Sequence, residues 1–329
     1  MEFDATLLAR LRDLRLIGDG DVTAHPLSGG VASDIWHVTA GGRGVVVKTA
    51  LETLRVAALW QVPVSRNAAE VVWLRRAREA VPGAAPQVKA HWPDLGTFAM
   101  AWLAPEDHPV WKAELLAGRV DIGFAASVGA TLAAIHAATA GDLAAAAQVN
   151  DDALFRAIRL DPYFGALKPV YPEVAPVIDG LIGRTLAGKT ALVHGDISPK
   201  NILAGPAGPV FLDAECAWYG DPAFDLAFVL NHLLLKSLAV PAAQVEIMAA
   251  FAALAHAYLS GCGWEDHDAV ERRAASLLPA LLLARIDGKS PVEYLGDEAV
   301  KDRVRRFALN HLPSPPVTLR DLALAWKTA

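Results

Sequence analysis

The fold is decided by the stretch Leu192-Val193-His194-Gly195-Asp196-Ile197-Ser198-Pro199-Lys200-Asn201-Ile202-Leu203, which is followed by Val210-Phe211-Leu212-Asp213-Ala214-Glu215. An apolar run ends in His-Gly-Asp, a loop interrupted by Pro199 follows, and Asn201 comes five residues after Asp196. A second apolar run then ends in Asp213. This order predicts a strand, a polar loop, a second strand and an acidic residue at the end of that strand.

The polar residues of this stretch are those that phosphoryl transfer requires. Transfer from ATP needs a carboxylate near the acceptor hydroxyl, and it needs oxygen ligands that hold Mg²⁺ against the phosphates. Asp196 is the candidate for the first task, and Asn201 and Asp213 are the candidates for the second. Glu215 follows Asp213 by two residues, so on an extended segment it points to the same side and is a further candidate for metal binding.

These motifs carry a resemblance to a known family. His194-Gly195-Asp196 with Asn201, Asp213-x-Glu215, and Tyr219-Gly220-Asp221-Pro222-Ala223-Phe224-Asp225-Leu226 resemble the aminoglycoside phosphotransferase and choline kinase superfamily. The Asp-x-Glu form is similar to that of choline and methylthioribose kinases. The protein-kinase forms His-Arg-Asp and Asp-Phe-Gly are missing, which favours small-molecule acceptors over proteins.

The resemblance implies a protein-kinase-like α+β fold with two lobes. The first lobe, residues 1–103, is expected to be a small antiparallel sheet with one main helix that binds the nucleotide. The second lobe, residues 104–329, is expected to be larger, mostly helical, and to hold the catalytic loop and the acceptor.

Nucleotide-binding residues are predicted in the first lobe. A glycine hairpin lets the backbone approach phosphates, and Val45-Val46-Val47-Lys48 predicts a third strand whose lysine reaches them. Glu70, on a helix predicted over 65–80, is the candidate partner of Lys48. Two alternatives stay open, a solubilising lysine on an edge strand and a pairing of Glu70 with Arg66 or Arg75. The predicted nucleotide contacts are Ser28, Gly29, Gly30, Ser33, Lys48, Glu70, Met100, Ala101, Trp102 and Leu103.

The last four of these contacts are placed at the hinge between the lobes. There the adenine is expected to pair with exposed backbone amide and carbonyl groups near Ala101 to Leu103. Met100 and Trp102 are equally compatible with a plain core role.

Three further polar residues are assigned supporting roles. His194 is predicted to hold the catalytic loop by hydrogen bonds. Asp225 resembles the buried acid at a helix start that binds the N–H groups of this loop. His136, on a predicted helix over 123–140, is expected to be a packing residue.

Other charged residues stay outside the predicted site. Lys200 is left out because its position equally directs it to solvent. Arg285 lies in a polar turn, where surface chemistry is the preferred explanation over contact with the acceptor. Asp151, Asp152 and Asp161 are acids that would suit a cationic acceptor, although solvated surface acids are the default.

Composition narrows the class of protein. The 329 residues are 53% hydrophobic and 20% charged, which is typical of a globular chain with a sizeable core. The net charge of −6 disfavours a nucleic-acid partner and mildly favours a cationic or neutral acceptor. Cys216 and Cys262 are too few for a disulfide framework. Acidic residues near Met1 and a short apolar segment, 226–240, predict a soluble, cytoplasmic protein without a membrane partner.

The sequence therefore predicts an ATP- and Mg²⁺-dependent kinase for a hydroxyl of a small molecule, such as an amino alcohol, a sugar or an aminoglycoside-like compound. Two alternatives stay open: a nucleotide-binding pseudokinase or regulatory module, and a protein kinase. The identity of the acceptor and the oligomeric state do not follow from the sequence.

Overall fold

The structure, a computed structural model, describes residues 3–27, 32–53 and 62–328. Its first part contains five strands: β1 Thr23–Pro26, β2 Ser33–Ala40, β3 Arg43–Ala50, β4 Val88–Trp92 and β5 Thr97–Ala101. They form one antiparallel sheet in the order β1-β2-β3-β5-β4. Helix α1, Ala5–Asp13, precedes the sheet, and α2, Arg66–Ala80, lies between β3 and β4 in the chain.

Strand β3 is the middle strand of this sheet, because β2 and β5 flank it. Val45 and Val47 are buried in one cluster with Leu7 and Leu11 of α1. Since side chains alternate along a strand, Lys48 points to the face opposite to Val47. Lys48 is only 2% exposed. The alternative of an edge-strand lysine is therefore wrong.

The remainder of the chain is mostly helical. Its helices are α3 Trp111–Leu116, α4 Ile122–Thr139, α5 Leu143–Gln148, α6 Asp152–Phe155, α7 Asp161–Tyr163, α8 Ala175–Ala187, α9 Ala223–Ala239, α10 Gln244–Ser260, α11 His267–Asp287, α12 Glu298–His311 and α13 Leu319–Thr328. The remaining strands form two pairs, β6 Ala191–Val193 with β9 Trp218–Gly220, and β7 Ile202–Gly205 with β8 Gly208–Phe211. One sheet followed by helices confirms the predicted α+β class. The lobe boundary after residue 103 falls in the connection from β5 to α3 and stays a prediction.

Helix α9 forms the centre of the helical part. It is buried from Ala223 to Leu238, as expected for a helix that is covered on all sides. The C-terminal end holds a further helix that was not predicted from the sequence, α13. It docks through Trp326, whose Nε1 donates to Ser237 Oγ at 3.0 Å.

Two helical segments, Ile122–Thr139 and Pro241–Ser260, are long and apolar enough to cross a membrane by length and composition alone. In each, 44% of the residues are buried within the structure, and α4 packs along α10. Both segments fit the core of a soluble protein. The apolar segment noted in the sequence, 226–240, lies in α9 and its C-terminal end.

The contact between α4 and α10 depends on the absence of a side chain at Gly129. A Cβ at this position would lie 2.2 Å from the carbonyl oxygen of Leu254. We expect Gly129→Ala to lower the free energy of unfolding by about 2 kcal/mol or more, because the backbone of α10 has to move. Urea denaturation measures the effect.

The matched control is Gly183→Ala. Gly183 is exposed on α8 and has open space where the Cβ would be. Alanine should therefore stabilise this helix by about 0.5–1 kcal/mol. If both alanines changed the free energy of unfolding alike, the close approach of α4 and α10 would be wrong.

Candidate active site

The loop after β6 has a shape that only glycine permits. Gly195 has φ of +77°, and a Cβ here would lie 2.5 Å from the carbonyl oxygen of Cys216. A larger residue at this position would be strained and would clash with the neighbouring turn. The glycine that distinguishes this chain from the His-Arg-Asp form is thus required by the local packing.

A fully buried carboxylate holds this loop in place. Asp225, in the first turn of α9, accepts hydrogen bonds from the backbone N–H groups of His194 at 2.7 Å and of Gly195 at 2.8 Å. Its Oδ2 also lies 3.2 Å from Nε2 of His136, whose Nδ1 lies 2.8 Å from the hydroxyl of Tyr258. These contacts are the ones expected for Asp225 and for a packing role of His136.

His194 connects the loop to the strand that ends at Asp213. Its Nε2 lies 3.0 Å from the carbonyl oxygen of Leu212, and its Nδ1 accepts from the N–H of Asp196 at 3.2 Å. One ring nitrogen donates and the other accepts, which is the neutral imidazole. Burial lowers the pKa of His194 and so favours this form. The imidazole therefore sets the spacing between Asp196 and Asp213.

The carboxylate of Asp196 has three polar neighbours. Its Oδ2 lies 3.0 Å from Nη2 of Arg159, 3.3 Å from Nζ of Lys200 and 3.0 Å from Nδ2 of Asn201. Burial by itself would raise the pKa of Asp196, but Arg159 and Lys200 more than offset it and hold the pKa below its ordinary value. Asp196 is thus an oriented carboxylate at neutral pH.

Two of these neighbours lay outside the predicted site. Arg159, which also donates from Nε to the carbonyl oxygen of Gly195 at 2.7 Å, sits on a single π-helical turn, 156–160, in a segment without a readable pattern. No motif marks it. Lys200 was left out, yet the turn at 199–201 brings its ammonium to Asp196 at i, i+4 spacing. That spacing was the only available signal.

On the sheet side, one ammonium group serves two carboxylates. Lys48 Nζ lies 2.8 Å from Glu70 and 2.5 Å from Oδ1 of Asp213. Burial would lower the pKa of Lys48, but Asp213 and Glu70 outweigh burial and raise it. Burial, together with the negative charges of Asp213 and Glu215, raises the pKa of Glu70 to about 7, although the charge of Lys48 opposes the rise. The predicted pairing of Lys48 with Glu70 is present, and it extends to Asp213.

Glu215 does not sit as the sequence analysis expected. Asp213 has φ of +64°, in the left-handed region, and residues 215–216 form a turn, so the segment is not extended. Glu215 instead pairs with Nε of Arg66 at 3.1 Å. Arg66 is therefore the partner of Glu215 and not of Glu70. Burial and the nearby Asp213 raise the pKa of Glu215.

The predicted phosphate-binding hairpin is placed only in part. Ser28, Gly29 and Gly30 lie outside the described residues. Ser33 opens β2 and is buried. Its neighbour along the sheet is Ala50, two residues beyond Lys48 on the paired strand β3.

The residues of the predicted hinge have defined contacts, and the hinge itself stays a prediction. Met100 is half-buried at the end of β5, opposite Val46. The amide of Ala101 donates to the carbonyl oxygen of Gln87 at 2.9 Å, so it is not the exposed donor that was expected. Trp102 stacks on His37 of β2 with ring centres 3.9 Å apart.

Leu103 borders a cavity of about 270 Å³ that it shares with Ala101 and His108. Its other walls are the connection 81–87 and the turn 205–210, and none of the predicted phosphate or metal contacts lines it. This cavity lies behind the hinge and is not the space bordered by Lys48 and Asp213.

Asn201 and Asp213 offer oxygens that suit a hard cation. Both side-chain hydrogen bonds that Asn201 makes within the described chain use Nδ2, to Asp196, so its Oδ1 is not engaged there. The side chain of Asp213 is 35% exposed, and one of its oxygens is held by Lys48. An amide oxygen and a carboxylate oxygen fit the ligand preference of Mg²⁺.

The three acids considered for a cationic acceptor all have structural partners. Asp151 caps α6 through the N–H of Leu154. Asp152 pairs with Lys189 and accepts from Nε1 of Trp218 at 2.8 Å. Asp161 lies 3.2 Å from Nε of Arg156. These contacts give Asp151, Asp152 and Asp161 structural roles, as a helix cap or as partners in ion pairs.

Asp225→Asn tests the support of the loop. The amide has one acceptor instead of two, so a buried N–H of His194 or Gly195 loses its partner and faces an NH₂ group. We expect a loss of about 2–4 kcal/mol in the free energy of unfolding. The exposed pair of Asp161 and Arg156 supplies the control, since Asp161→Asn should cost less than about 1 kcal/mol. Equal losses in urea denaturation would contradict the role of Asp225.

Known proteins share both the sequence pattern and the fold. Methylthioribose kinase of Yersinia pseudotuberculosis serotype O:1b (strain IP 31758) is 27% identical over 251 residues, which are 67% of this chain and 60% of that protein. The chain thus spans about 60% of the length of this curated relative.

Two solved structures have the same fold. Amicoumacin kinase hAmiN, in complex with AMP-PNP, Ca²⁺ and Ami, superposes with a TM-score of 0.56 at 16% identity over 98% of this chain and 97% of that one. A choline/ethanolamine kinase family protein from Mesorhizobium loti superposes with a TM-score of 0.54 at 17% identity over 93% of both chains. The predicted kinase-like fold is confirmed.

A sequence profile of the phosphotransferase enzyme family matches residues 23–265. This match covers well over half of the chain and includes the predicted lysine, the catalytic loop and the buried acid of α9. The chain belongs to the phosphotransferase enzyme family.

Proposed function

We propose that this protein is an ATP- and Mg²⁺-dependent kinase that phosphorylates a hydroxyl group of a small molecule. The observation that carries the proposal is the continuous polar cluster from the sheet to the catalytic loop. Lys48 joins Glu70 to Asp213, and His194 spaces Asp213 from Asp196. The ligands in the hAmiN complex, AMP-PNP and Ca²⁺, support a nucleotide and a divalent cation in the same fold.

Asp196 receives the acceptor hydroxyl in this proposal. Its pKa is held low by Arg159 and Lys200, so it is ionised and accepts a hydrogen bond from the alcohol. Such a carboxylate orients the attacking oxygen and takes its proton as the bond to phosphorus forms. Arg159 and Asn201 position the carboxylate from two sides.

Lys48 binds the phosphates of the nucleotide, and Glu70 keeps its ammonium group in place. Asn201 and Asp213 would hold Mg²⁺, which supplies charge neutralisation on the phosphates. Most of the rate enhancement then comes from alignment and electrostatic stabilisation of the loose transition state. Glu215 stays a further candidate ligand, although Arg66 engages it in the structure.

Small-molecule acceptors are favoured over proteins by the loop itself. The packing around Gly195 leaves no room for the arginine of the His-Arg-Asp form. A pseudokinase would be expected to lack part of the cluster, whereas Asp196, Asn201 and Asp213 are all present and Asn201 contacts Asp196. A metabolic acceptor is our preference over an antibiotic, in line with the methylthioribose kinases. The cytoplasmic location stays a prediction.

Asp196→Asn is the direct test of the catalytic role. We expect kcat to fall by about 10²–10⁴-fold, because the amide cannot take the proton, while the affinity for ATP changes little. Coupled ADP-release kinetics and nucleotide titration measure the two quantities. Asp161→Asn, which changes an exposed surface pair, is the matched control. A variant that retained full turnover would remove Asp196 from the chemistry.

Asp213→Asn tests the metal site. We expect the Mg²⁺ concentration for half-maximal activity to rise by about tenfold or more, because a charged ligand is lost. Glu215→Gln is the comparison, since it removes the same charge two residues away. If this Mg²⁺ concentration rose in both variants, Glu215 would also be a ligand. If it rose in neither variant, the metal would bind elsewhere.

A further inference from the structure

The acceptor side of Asp196 is lined by cations, although the whole chain carries a net charge of −6. Arg159 and Lys200 touch Asp196 directly. The guanidinium group of Arg159 lies 5.6 Å from the centre of the Tyr163 ring, and that of Arg285 lies 5.6 Å from the same ring. The Tyr163 ring is therefore a neighbour of both arginines, and one of them, Arg159, contacts the carboxylate of Asp196.

Arg285 does not belong to a surface turn, as the sequence suggested. It lies inside α11 and is 8% exposed. The turn that follows folds back onto the helical part, because the N–H of Lys289 donates to the carbonyl oxygen of Pro162 at 3.1 Å. Nη1 of Arg285 donates to the hydroxyls of Tyr163 and Ser290, whereas Nε is buried without a partner in the described chain.

Lys236 is the most unusual member of this cluster. Its side chain is 1% exposed on α9, and within the described part of the chain its ammonium group has neither an ion pair nor a hydrogen bond. It faces the ring of Tyr294 at 4.3 Å. Burial, with Lys112 and Arg285 nearby, lowers the pKa of Lys236 to about 7. A buried cation without a counter-charge is costly to keep unless something else supplies that charge.

His232 lies between these groups. It is one helical turn before Lys236 and one turn after Phe228 on the same face of α9, and its Nδ1 lies 3.3 Å from the hydroxyl of Tyr294. Burial and the positive charges of Arg285, Lys236, Lys200 and Lys112, in that order, lower the pKa of His232 well below its ordinary value. An imidazole whose pKa is lowered by these four side chains lies in a positive local field.

The acids near this cluster do not neutralise it. Glu293 pairs with Lys112. Asp287, at the end of α11, is bound by Arg305 at 2.8 Å and by the hydroxyl of Tyr171 at 2.7 Å. Asp196 is shared by Arg159 and Lys200, so neither Arg285 nor Lys236 has a directly paired carboxylate among the described residues, although the charge of Glu293 acts on both at longer range.

We propose that the acceptor is an alcohol that also carries an anionic group, a carboxylate or a phosphate, and that Arg285 and Lys236 bind this group while the hydroxyl lies at Asp196. The proposal rests on the function proposed above. It replaces the expectation of a cationic or neutral acceptor, which was based on the net charge of the chain. Phe228 and Tyr163 form an apolar and aromatic wall between the two ends, with ring centres 5.4 Å apart.

The test compares pairs of alcohols in which one member carries an anionic group that the other lacks. The full-length protein is given ATP and Mg²⁺ with gluconate or glucose, and with glycerol 3-phosphate or glycerol. Choline and an aminoglycoside serve as cationic acceptors. ADP release and the mass of one added phosphoryl group are the readouts. We expect the anionic member of at least one pair to be phosphorylated in preference, and the two pairs distinguish a carboxylate from a phosphate.

Lys236→Met keeps the volume of the side chain and removes its charge, so the variant should fold and resist urea better than the wild type. We expect it to raise KM for the anionic acceptor by about tenfold or more, with the loss falling on the acceptor rather than on ATP. The control is Lys327→Met, which removes an exposed lysine from α13. Arg285→Lys should retain part of the binding.

Preference for glucose, glycerol or a cation, with Lys236→Met unaffected, would overturn the anionic acceptor and leave the kinase intact. If no acceptor is phosphorylated, the thermal shift on adding the acceptor is measured instead. Gluconate or glycerol 3-phosphate should raise the Tm of the wild type but not that of Lys236→Met. Equal changes of Tm in the two proteins would overturn the inference. Failure of Mg²⁺ and ATP to raise Tm or to yield any ADP would instead count against the proposed function.

Discussion

The geometry of the site depends on one buried carboxylate. Asp225 is fully buried, and such a group is stable only when its oxygens are hydrogen-bonded. The backbone N–H groups of His194 and Gly195, the ring of His136 and the N-terminal turn of α9 all meet this need. The loop is therefore bound to the most buried helix of the molecule, and the position of Asp196 follows from that attachment.

A second electrostatic constraint joins the sheet to the helical part. Three carboxylates, those of Glu70, Asp213 and Glu215, are concentrated around Lys48, and the arrangement is tolerable because Arg66 pairs with Glu215. Removing Lys48 would leave Glu70 buried without a partner, and removing Arg66 would do the same to Glu215. The chain thus keeps a dense set of charges where a triphosphate and a cation are proposed to bind, and packs apolar side chains elsewhere.

The sequence was informative where the candidate functional residues lie in, or next to, strands and helices with a clear hydrophobic pattern. Lys48 follows an apolar run in β3, Glu70 lies on α2, and the His-Gly-Asp loop follows β6. The hydrophobic pattern of each of these three elements is visible in the sequence. The predicted geometry at Glu215 was wrong because the left-handed φ of Asp213 turns the chain, and no residue type in the sequence indicates that turn. Arg159 was missed because a short π-helical turn has no sequence signature.

The sequence by itself determined the α+β class, the family and the short run from His194 to Asn201, because these depend on residue types and on contacts between near neighbours in the chain. The tertiary structure alone decided which charges meet. Arg285 and Lys236 come from different helices, and their common environment depends on how α9 and α11 pack. Electrostatic free energy depends on distance and burial and not on composition, so a chain with net charge −6 still gathers buried cationic side chains, Arg159, Arg285 and Lys236, in its helical part.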